Sequence, residues 1–324
     1  MNRYIIFSDK SDLYRVTYSD VISMENVRYL DDLLDVESGF LKALYRIHIN
    51  PRINDIIHLP LRNIWNRFQY NEKPIEGDTY YFIFFTSKIL FLNYDYFDYI
   101  KTKYNGKIIC VFQDLIGQRR IDVSLLKKKC DLLISFDYSD VEKYGFVYYP
   151  LTYSHIKKSE KIEVLYDVYF VGKAKNRLQD ILDTYTALND NGLKCDFYII
   201  GVPQEDRKFE ESIHYIDFMP YQENVSKIQR ANCILEIMQK GGTGYTLRTC
   251  EAIMLNKKLL TNNTEIEKEA YYNPRYIQVI RNARDIDYSF FDRKDASYSQ
   301  SIQDSMSPVN LLKFITERCE YVEN

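Results

Sequence analysis

Glu236-Ile-Met-Gln-Lys-Gly-Gly-Thr-Gly-Tyr-Thr-Leu-Arg-Thr-Cys-Glu251-Ala-Ile-Met-Leu-Asn-Lys-Lys-Leu-Leu-Thr-Asn-Asn263 is the stretch on which the reading of this chain turns. An apolar run, Cys233–Ile237, enters it, and Gly241, Gly242 and Gly244 fall within four residues. The spacing then predicts a helix over Leu247–Leu255 and a strand over Lys258–Thr261. A glycine-rich loop running into a helix that starts near Thr246 aims unpaired backbone N–H groups and the positive helix end at an anion, the arrangement that suits a pyrophosphate. Arg248 and Glu251 are three apart and share a helix face. The arginine is placed to neutralise phosphate and the carboxylate to take ribose hydroxyls; the competing reading is an Arg–Glu surface pair beside a tight turn. On the first reading, Glu251→Ala weakens ligand binding more than it weakens the fold.

The cluster stands out because glycine is scarce. The chain has 11 glycines in 324 residues, beside 30 tyrosines, where glycine usually makes up ~7%. Its length suggests about two domains. With 46% hydrophobic and 27% charged residues, the composition is that of a folded globular protein and excludes disordered, fibrous and collagen-like chains. A net charge of −3 argues against nucleic acid as a partner. The six cysteines are scattered without a CxxC pair, mostly in apolar runs, and read as reduced core residues. The N-terminus reads as a first strand rather than a signal peptide, and no apolar stretch approaches a membrane span. The expected location is the cytoplasm, extended to the inner face of the plasma membrane if the basic segment 42–69 described below makes contact there.

Working outward, short runs of Ile, Val, Phe and Tyr followed by mixed segments recur in two sets, as buried parallel strands with crossover helices do. The first set is Tyr4–Ser8, Tyr80–Phe85, Lys107–Phe112, Leu132–Phe136 and Phe146–Tyr149. The second is Asp167–Val171, Cys195–Ile200, Ile213–Phe218, Cys233–Ile237, Lys258–Thr261 and Tyr276–Val279. The polar, lysine-bearing stretch Pro150–Glu163 separates them. The fold class is therefore α/β, with two Rossmann-like doubly wound domains facing across a cleft. The expected divisions are an acceptor-side domain over 1–155, a nucleotide-binding domain over 156–307, and an amphipathic helix in 308–324 that packs back toward the first. Helices are also expected over Arg177–Asn189 and Asn224–Arg230.

In the second half, Asp167–Val171 runs into Gly172, Lys173 and Arg177. Glycine at a strand end permits close backbone approach, and two cations at a helix start suit a phosphate; a solvated basic first turn is the plainer alternative. Gly201 closes the next strand on the same rim.

Gly244-Tyr-Thr-Leu-Arg-Thr-Cys-Glu251-Ala with Lys257-Lys-Leu-Leu-Thr-Asn-Asn263 resembles the donor-binding segment of bacterial GT-B glycosyltransferases of capsule and lipopolysaccharide assembly. Ser135-Phe-Asp137, Tyr144-Gly145, and Tyr166-Asp-Val-Tyr-Phe-Val-Gly-Lys173 with Arg177 extend the likeness over roughly residues 130 to 280. The resemblance implies a metal-independent hexosyltransferase without a cofactor, which moves a sugar from a nucleotide-sugar donor, a UDP-sugar favoured, to a glycan or glycolipid acceptor. By the same resemblance Gly242, Thr243, Gly244, Tyr245 and Thr246 hold the diphosphate, Glu251 the ribose, and Lys173, Arg177 and Arg248 the leaving group. One departure is visible. Many retaining members carry a second glutamate eight positions before the one matching Glu251, and here that position is Thr243. Neither the sugar nor retention of anomeric configuration is therefore carried over, and Thr243 suggests a non-catalytic binding subunit as an alternative; a sugar-nucleotide epimerase, which uses the same fold and needs no separate acceptor, is another. Asp285-Ile-Asp287 spells a D-x-D metal motif but follows the last strand, so no metal is expected.

The first half offers Asp9, Ser87, Lys88, Asp114 and Asp137 just past strand ends, where ligands of open α/β sheets sit. Asp114, in Val111-Phe-Gln-Asp-Leu-Ile-Gly117, is the favoured general base, against the alternative of a helix cap. His155 reads as incidental. Segment 42–69 carries Lys42, Arg46, Arg52, Arg62 and Arg67 against Asp55 alone, interleaved with Trp65 and Phe68. It reads either as a peripheral contact for an anionic membrane or as a helix pair with a solvated basic face.

Overall fold

Thr79-Tyr-Tyr-Phe-Ile-Phe-Phe85 is buried at every position but its first, as a strand covered on both faces is. The computed structural model, which describes all residues except 51–52, 54–60, 93, 115, 117–120, 157–161, 240–245 and 322–324, builds two parallel sheets around such runs. Arg52, Asp55, Lys157, Lys158, Lys161 and the triple-glycine cluster lie outside the described residues.

The chain divides into a first unit of Met1–Arg15, Ser19–Tyr149 and Pro308–Asn324 and a second of Val16–Tyr18 and Pro150–Ser307. The first contains β1 (Asn2–Phe7), β2 (Val27–Leu30), β3 (Thr79–Phe85), β4 (Lys107–Phe112), β5 (Leu132–Ser135) and β6 (Val147–Tyr148), in the order β2-β1-β3-β4-β5-β6. The second contains β7 (Tyr166–Lys173), β8 (Cys195–Ile200), β9 (Ile213–Ile216), β10 (Ala231–Glu236), β11 (Lys258–Thr261) and β12 (Ile277–Val279), in the order β12-β11-β10-β7-β8-β9. Every neighbouring pair is parallel. The protein is thus α/β, and the second sheet has the strand order of dinucleotide-binding folds, reversing between β7 and β10. The first sheet reverses between β1 and β3, as flavodoxin-like sheets do.

β2 is the strand that the hydrophobic pattern does not reveal. Val-Arg-Tyr-Leu is short and only Leu30 is buried, because an edge strand needs no continuous apolar run. Its presence moves the first unit's reversal point to β1/β3.

Each sheet is covered on both faces. In the second unit Val168 and Phe170 pack with Ile181, Tyr185 and Leu188 of the helix Leu178–Asp190. Tyr169, pointing the other way, bonds Asn224 of the helix Tyr221–Gln229 at 3.0 Å. In the first unit β1, β3 and β4 present Phe7, Phe82, Phe84 and Phe112 to one cluster that includes Tyr96 and Phe97. The opposite face carries Tyr4 and Tyr81, and the Tyr4 hydroxyl meets Thr316 Oγ1 at 2.7 Å on the helix Pro308–Tyr321. Tyrosine is abundant because its ring fills the core while its hydroxyl satisfies backbone at the rim; Tyr96 and Tyr104 donate to the carbonyls of Tyr70 and Glu72 at 2.9 and 2.8 Å.

The helix Pro308–Tyr321 buries Leu311, Leu312 and Ile315 in the first unit. Ile315→Ala is expected to destabilise that unit by about 2–5 kcal/mol, read by urea denaturation. A loss below about 1 kcal/mol would mean the helix is dispensable.

Candidate functional site

The reversal between β7 and β10 creates a crevice at their carboxyl ends, because the crossovers leave these two strands in opposite directions. Gly172 and Lys173 end β7, Glu236 ends β10, and the helix Leu247–Met254 begins beyond the glycine-rich loop. Of the residues singled out from the sequence, Gly172, Lys173, Arg177, Thr246, Arg248 and Glu251 are described and come together here. Gly242, Thr243, Gly244 and Tyr245 lie outside the described residues.

Glu236 fixes both ends of the loop. Its Oε1 accepts from the hydroxyls of Thr246 and Thr249 at 2.5 and 3.1 Å, and its Oε2 from Thr261 at 2.6 Å. One buried carboxylate thereby joins the end of β10, the start of the following helix and the end of β11. Thr246 in turn caps that helix, its Oγ1 accepting from the backbone N–H of Arg248 at 3.0 Å. Asn262 Oδ1 accepts from the backbone N–H of Met238 at 2.6 Å and holds the loop's first residues. Glu236 was not among the residues picked from sequence. The signal available was a carboxylate closing a buried apolar strand, with threonines at 246, 249 and 261.

Glu251 is fully buried. Tyr221 Oη and Asn224 Nδ2 donate to its Oε1 at 2.7 and 2.9 Å, and Arg248 Nη1 donates to Oε2 at 2.6 Å. Arg248 Nη2 donates to Val171 O of β7 at 2.7 Å. Tyr221, Asn224 and Arg248 thus each donate to the Glu251 carboxylate, which orients Arg248. The competing Arg–Glu reading is right about the pairing and wrong about the surface. Burial acts to lower the Arg248 pKa, but the Glu251 charge overrides it and the net shift is upward.

Arg177 folds back along the strand it follows. Its Nε donates to Lys173 O at 3.3 Å and its Nη1 to Ile237 O, bridging the ends of β7 and β10. A Cβ on Gly172 would stand 3.1 Å from Arg177 Nη2 and 3.1 Å from the Phe170 ring. The glycine is there to admit the guanidinium. Burial and then the neighbouring Arg248 push the Arg177 pKa down to about 10, with Glu236 opposing. A cation destabilised by another cation is stabilised by an incoming anion, so this is an anion-seeking geometry. Lys173 is exposed beside it, and Lys175 Nζ bonds Gln239 Oε1 at 2.9 Å at the loop's entry. Ile237 and Asn262 also line a groove of about 860 Å³ bounded by Asp180, Asp183, Arg281 and Arg284.

Other expectations fall elsewhere. Gly201 follows β8 with φ +75° and open space around its missing side chain, so the turn itself requires glycine there. Asp114 is exposed in a bend after β4, one strand removed from the first unit's own reversal point. That point is flanked by Asp9, after β1, and by Ser87 and Lys88, after β3. Asp9 Oδ1 accepts from Ser11 N at 2.9 Å, the Ser87 hydroxyl is buried without a hydrogen-bond partner, and Lys88 Nζ donates to Asp31 O at 3.1 Å. Burial lowers the Lys88 pKa, with Asp32, Asp9 and Asp31 opposing. Asp137 caps the helix Tyr138–Tyr144 through Ser139 N at 2.9 Å. His155 pairs with Asp304 at 2.9 Å. In Asp285-Ile-Asp287 the first acid closes a capping box with Asn282 and the second binds Ser289 and Arg293. Among the described residues no group of three or more His, Cys, Asp or Glu is placed to hold a metal ion.

By fold and site the chain is an α/β protein of two parallel-sheet units, one of them carrying a basic crevice at its reversal point. No protein-family model matches it, and no curated protein matches it by sequence. Its course is similar to that of the glycotransferase of kitacinnamycin, with 7% identity over 98% of this chain and 99% of that one and a TM-score of 0.45. It is also similar to the glycosyltransferase VinC, solved in complex with dTDP, with 11% identity over 99% and 100% and a TM-score of 0.44. A third such structure is a DNA-modifying β-glucosyltransferase solved with and without uridine diphosphoglucose, with 13% identity over 99% and 97% and a TM-score of 0.40. Likenesses this distant carry nothing over to the residues of this chain.

The burial of Glu251 reverses the expected ranking of effects. Glu251→Ala leaves Arg248 unpaired and is expected to cost about 3–5 kcal/mol of stability, read as a lower thermal midpoint. Pairing it with Arg248→Met should restore much of the loss. Unchanged melting with abolished nucleotide binding would instead return Glu251 to the ligand.

Proposed function

We propose that the chain is a GT-B glycosyltransferase that moves a hexosyl group from a nucleotide-sugar, a UDP-sugar favoured, to a glycan or glycolipid acceptor of the surface-polysaccharide kind. The observation that carries this reading is the pair of guanidiniums, Arg177 and Arg248, held at the β7/β10 reversal point where a nucleoside diphosphate sits in sheets of this order. The resemblance of Gly244–Glu251 and Tyr166–Lys173 to donor-binding segments supports it.

In the proposed reaction an acceptor hydroxyl attacks the anomeric carbon, the bond from that carbon to the diphosphate breaks, and the electron pair leaves with the diphosphate. Arg177, Arg248 and Lys173 stabilise the departing charge, a role that needs no metal. The backbone of loop 241–245 is assigned the diphosphate oxygens. Phe218, exposed past β9 on the chain leading to Tyr221, offers an aromatic face to the nucleobase. The hydroxyl proton passes to an acid of the first unit. The β1/β3 reversal favours Asp9 over Asp114 for that task, with Ser87 and Lys88 as its companions.

A second reading, a nucleotide-binding subunit without turnover, is favoured by Thr243 standing where an acid often stands and by the burial of Glu251. Turnover separates the two.

Calorimetry and donor-hydrolysis assays with UDP-, GDP- and CMP-sugars test the proposal. Arg177→Ala is expected to weaken UDP-sugar affinity about 10–100-fold, the loss of one charge-assisted hydrogen-bonding group. Folded protein that binds none of the three would refute the transferase reading. Binding without transfer would favour the subunit, and an epimerised donor formed without acceptor would favour an epimerase. Asp9→Asn is expected to reduce turnover more than Asp114→Asn at unchanged donor affinity; the opposite order would restore Asp114 as the base.

A further inference from the structure

Tyr221 Oη lies 2.7 Å from Glu251 Oε1 and 3.0 Å from Tyr153 Oη, and all three residues are buried. A phenol has one proton, and a carboxylate paired with an arginine only accepts. Tyr221 therefore gives its proton to Glu251, and the bond between the two phenols is made by the Tyr153 hydroxyl donating to Tyr221. Asn224 repeats the pattern. Its Nδ2 is committed to Glu251 Oε1 at 2.9 Å, which turns its Oδ1 toward the Tyr169 hydroxyl, the donor at 3.0 Å. Two chains of hydrogen bonds, from Tyr153 through Tyr221 and from Tyr169 through Asn224, end on one carboxylate oxygen, and every donor in them points toward it. The other oxygen takes Arg248. Burial, and after it the Glu251 charge, pushes the pKa of Tyr153 and Tyr221 up, and burial does the same for Tyr169. The three phenols stay protonated at neutral pH, so the direction of both chains is fixed.

The remote ends of the chains are themselves held. The backbone N–H of Tyr153 donates to Met306 O at 2.8 Å, and Ser154 N and Oγ both donate to Thr17 O at 2.9 Å. Tyr153 follows the point where the chain enters the second unit at Pro150, and Met306 precedes the point where it leaves after Ser307. Tyr169 stands in β7, the strand whose Val171 O accepts from Arg248. We propose that Tyr153 and Tyr169 are positioning residues for Arg248: through Tyr221 and Asn224 they hold the Glu251 carboxylate in the orientation that aims the guanidinium along the end of β7, toward the diphosphate of the donor. The target of that aim rests on the transferase reading, whereas the fixing of the guanidinium does not. A displacement of the entry segment at Tyr153 is thereby passed through one further phenol and a carboxylate to the arginine of the crevice.

Phenylglyoxal labelling of the full chain, read at Arg248 by peptide mass spectrometry, and calorimetry with UDP test the proposal together. Exchanging tyrosine for phenylalanine removes one oxygen and leaves the ring. Y153F and Y169F are each expected to raise the Arg248 labelling rate at least about threefold and to weaken UDP binding about 3–10-fold, the loss of one neutral hydrogen bond. Y221F breaks a bond to the carboxylate itself and is expected to exceed both. Y298F is the control: it removes a buried phenol of the same unit that bonds Lys257 O, and is expected to lower the melting temperature while labelling and affinity stay those of the parent. Y169F keeps the test decisive if Y153F does not fold. A parent that binds no UDP fails the transferase reading alone, and the labelling rates then decide the proposal. Arg248 labelling unchanged in either folded variant, or UDP affinity unchanged in either when the parent binds UDP, would overturn it. So would Y298F matching their effects, since the two tyrosines would then act only through stability.

Discussion

Two buried carboxylates hold the second unit's crevice together, and Glu251 is the more constraining. It carries its charge out of water entirely, and such a group persists only when its lone pairs are met by donors. Tyr221, Asn224 and Arg248 meet them. Because Arg248 also reaches Val171 O, one ionic pair ties two helices to the strand on the far side of the crevice. The buried pair adds little net stability over an apolar replacement. What it supplies is direction, fixing the Arg248 guanidinium against the end of β7.

Glu236 does the complementary task without a formal partner charge. Three threonine hydroxyls converge on it, so one carboxylate joins the end of β10, the start of the helix Leu247–Met254 and the end of β11. Gly172 acts by lacking a side chain. It makes a strand position narrow enough for Arg177 to lie against it, and the resulting closeness of Arg177 to Arg248 depresses the Arg177 pKa.

Much of this was legible in the sequence. Buried parallel strands are continuous apolar runs, so Lys107–Phe112, Cys195–Ile200 and Lys258–Thr261 could be read to their end residues. The residues flanking the crevice were found because glycine is rare in this chain and cations cluster beside it. Three things escaped. β2 is a half-exposed edge strand without the pattern, and missing it hid the first unit's reversal point. Glu236 looked like the end of a strand, since nothing local shows that residues 10, 13 and 25 positions later point their hydroxyls at it. The helix Gly39–His48 has apolar residues at 40, 41, 44, 45 and 47, and spacing alone cannot say that Leu41 and Tyr45 turn inward while Phe40, Leu44 and Ile47 turn outward.

The sequence by itself determined the α/β class, the pairing of strands with helices and the set of residues available to the crevice, because period and burial are properties of consecutive residues. Only the tertiary structure decided what each of those residues does. Arg248 and Glu251 are three apart on any helix, but that Tyr221 and Asn224 donate to the carboxylate depends on a helix about thirty residues upstream. Hydrogen-bond saturation of a buried charge is settled by everything packed around it, and that is information no local stretch of chain contains.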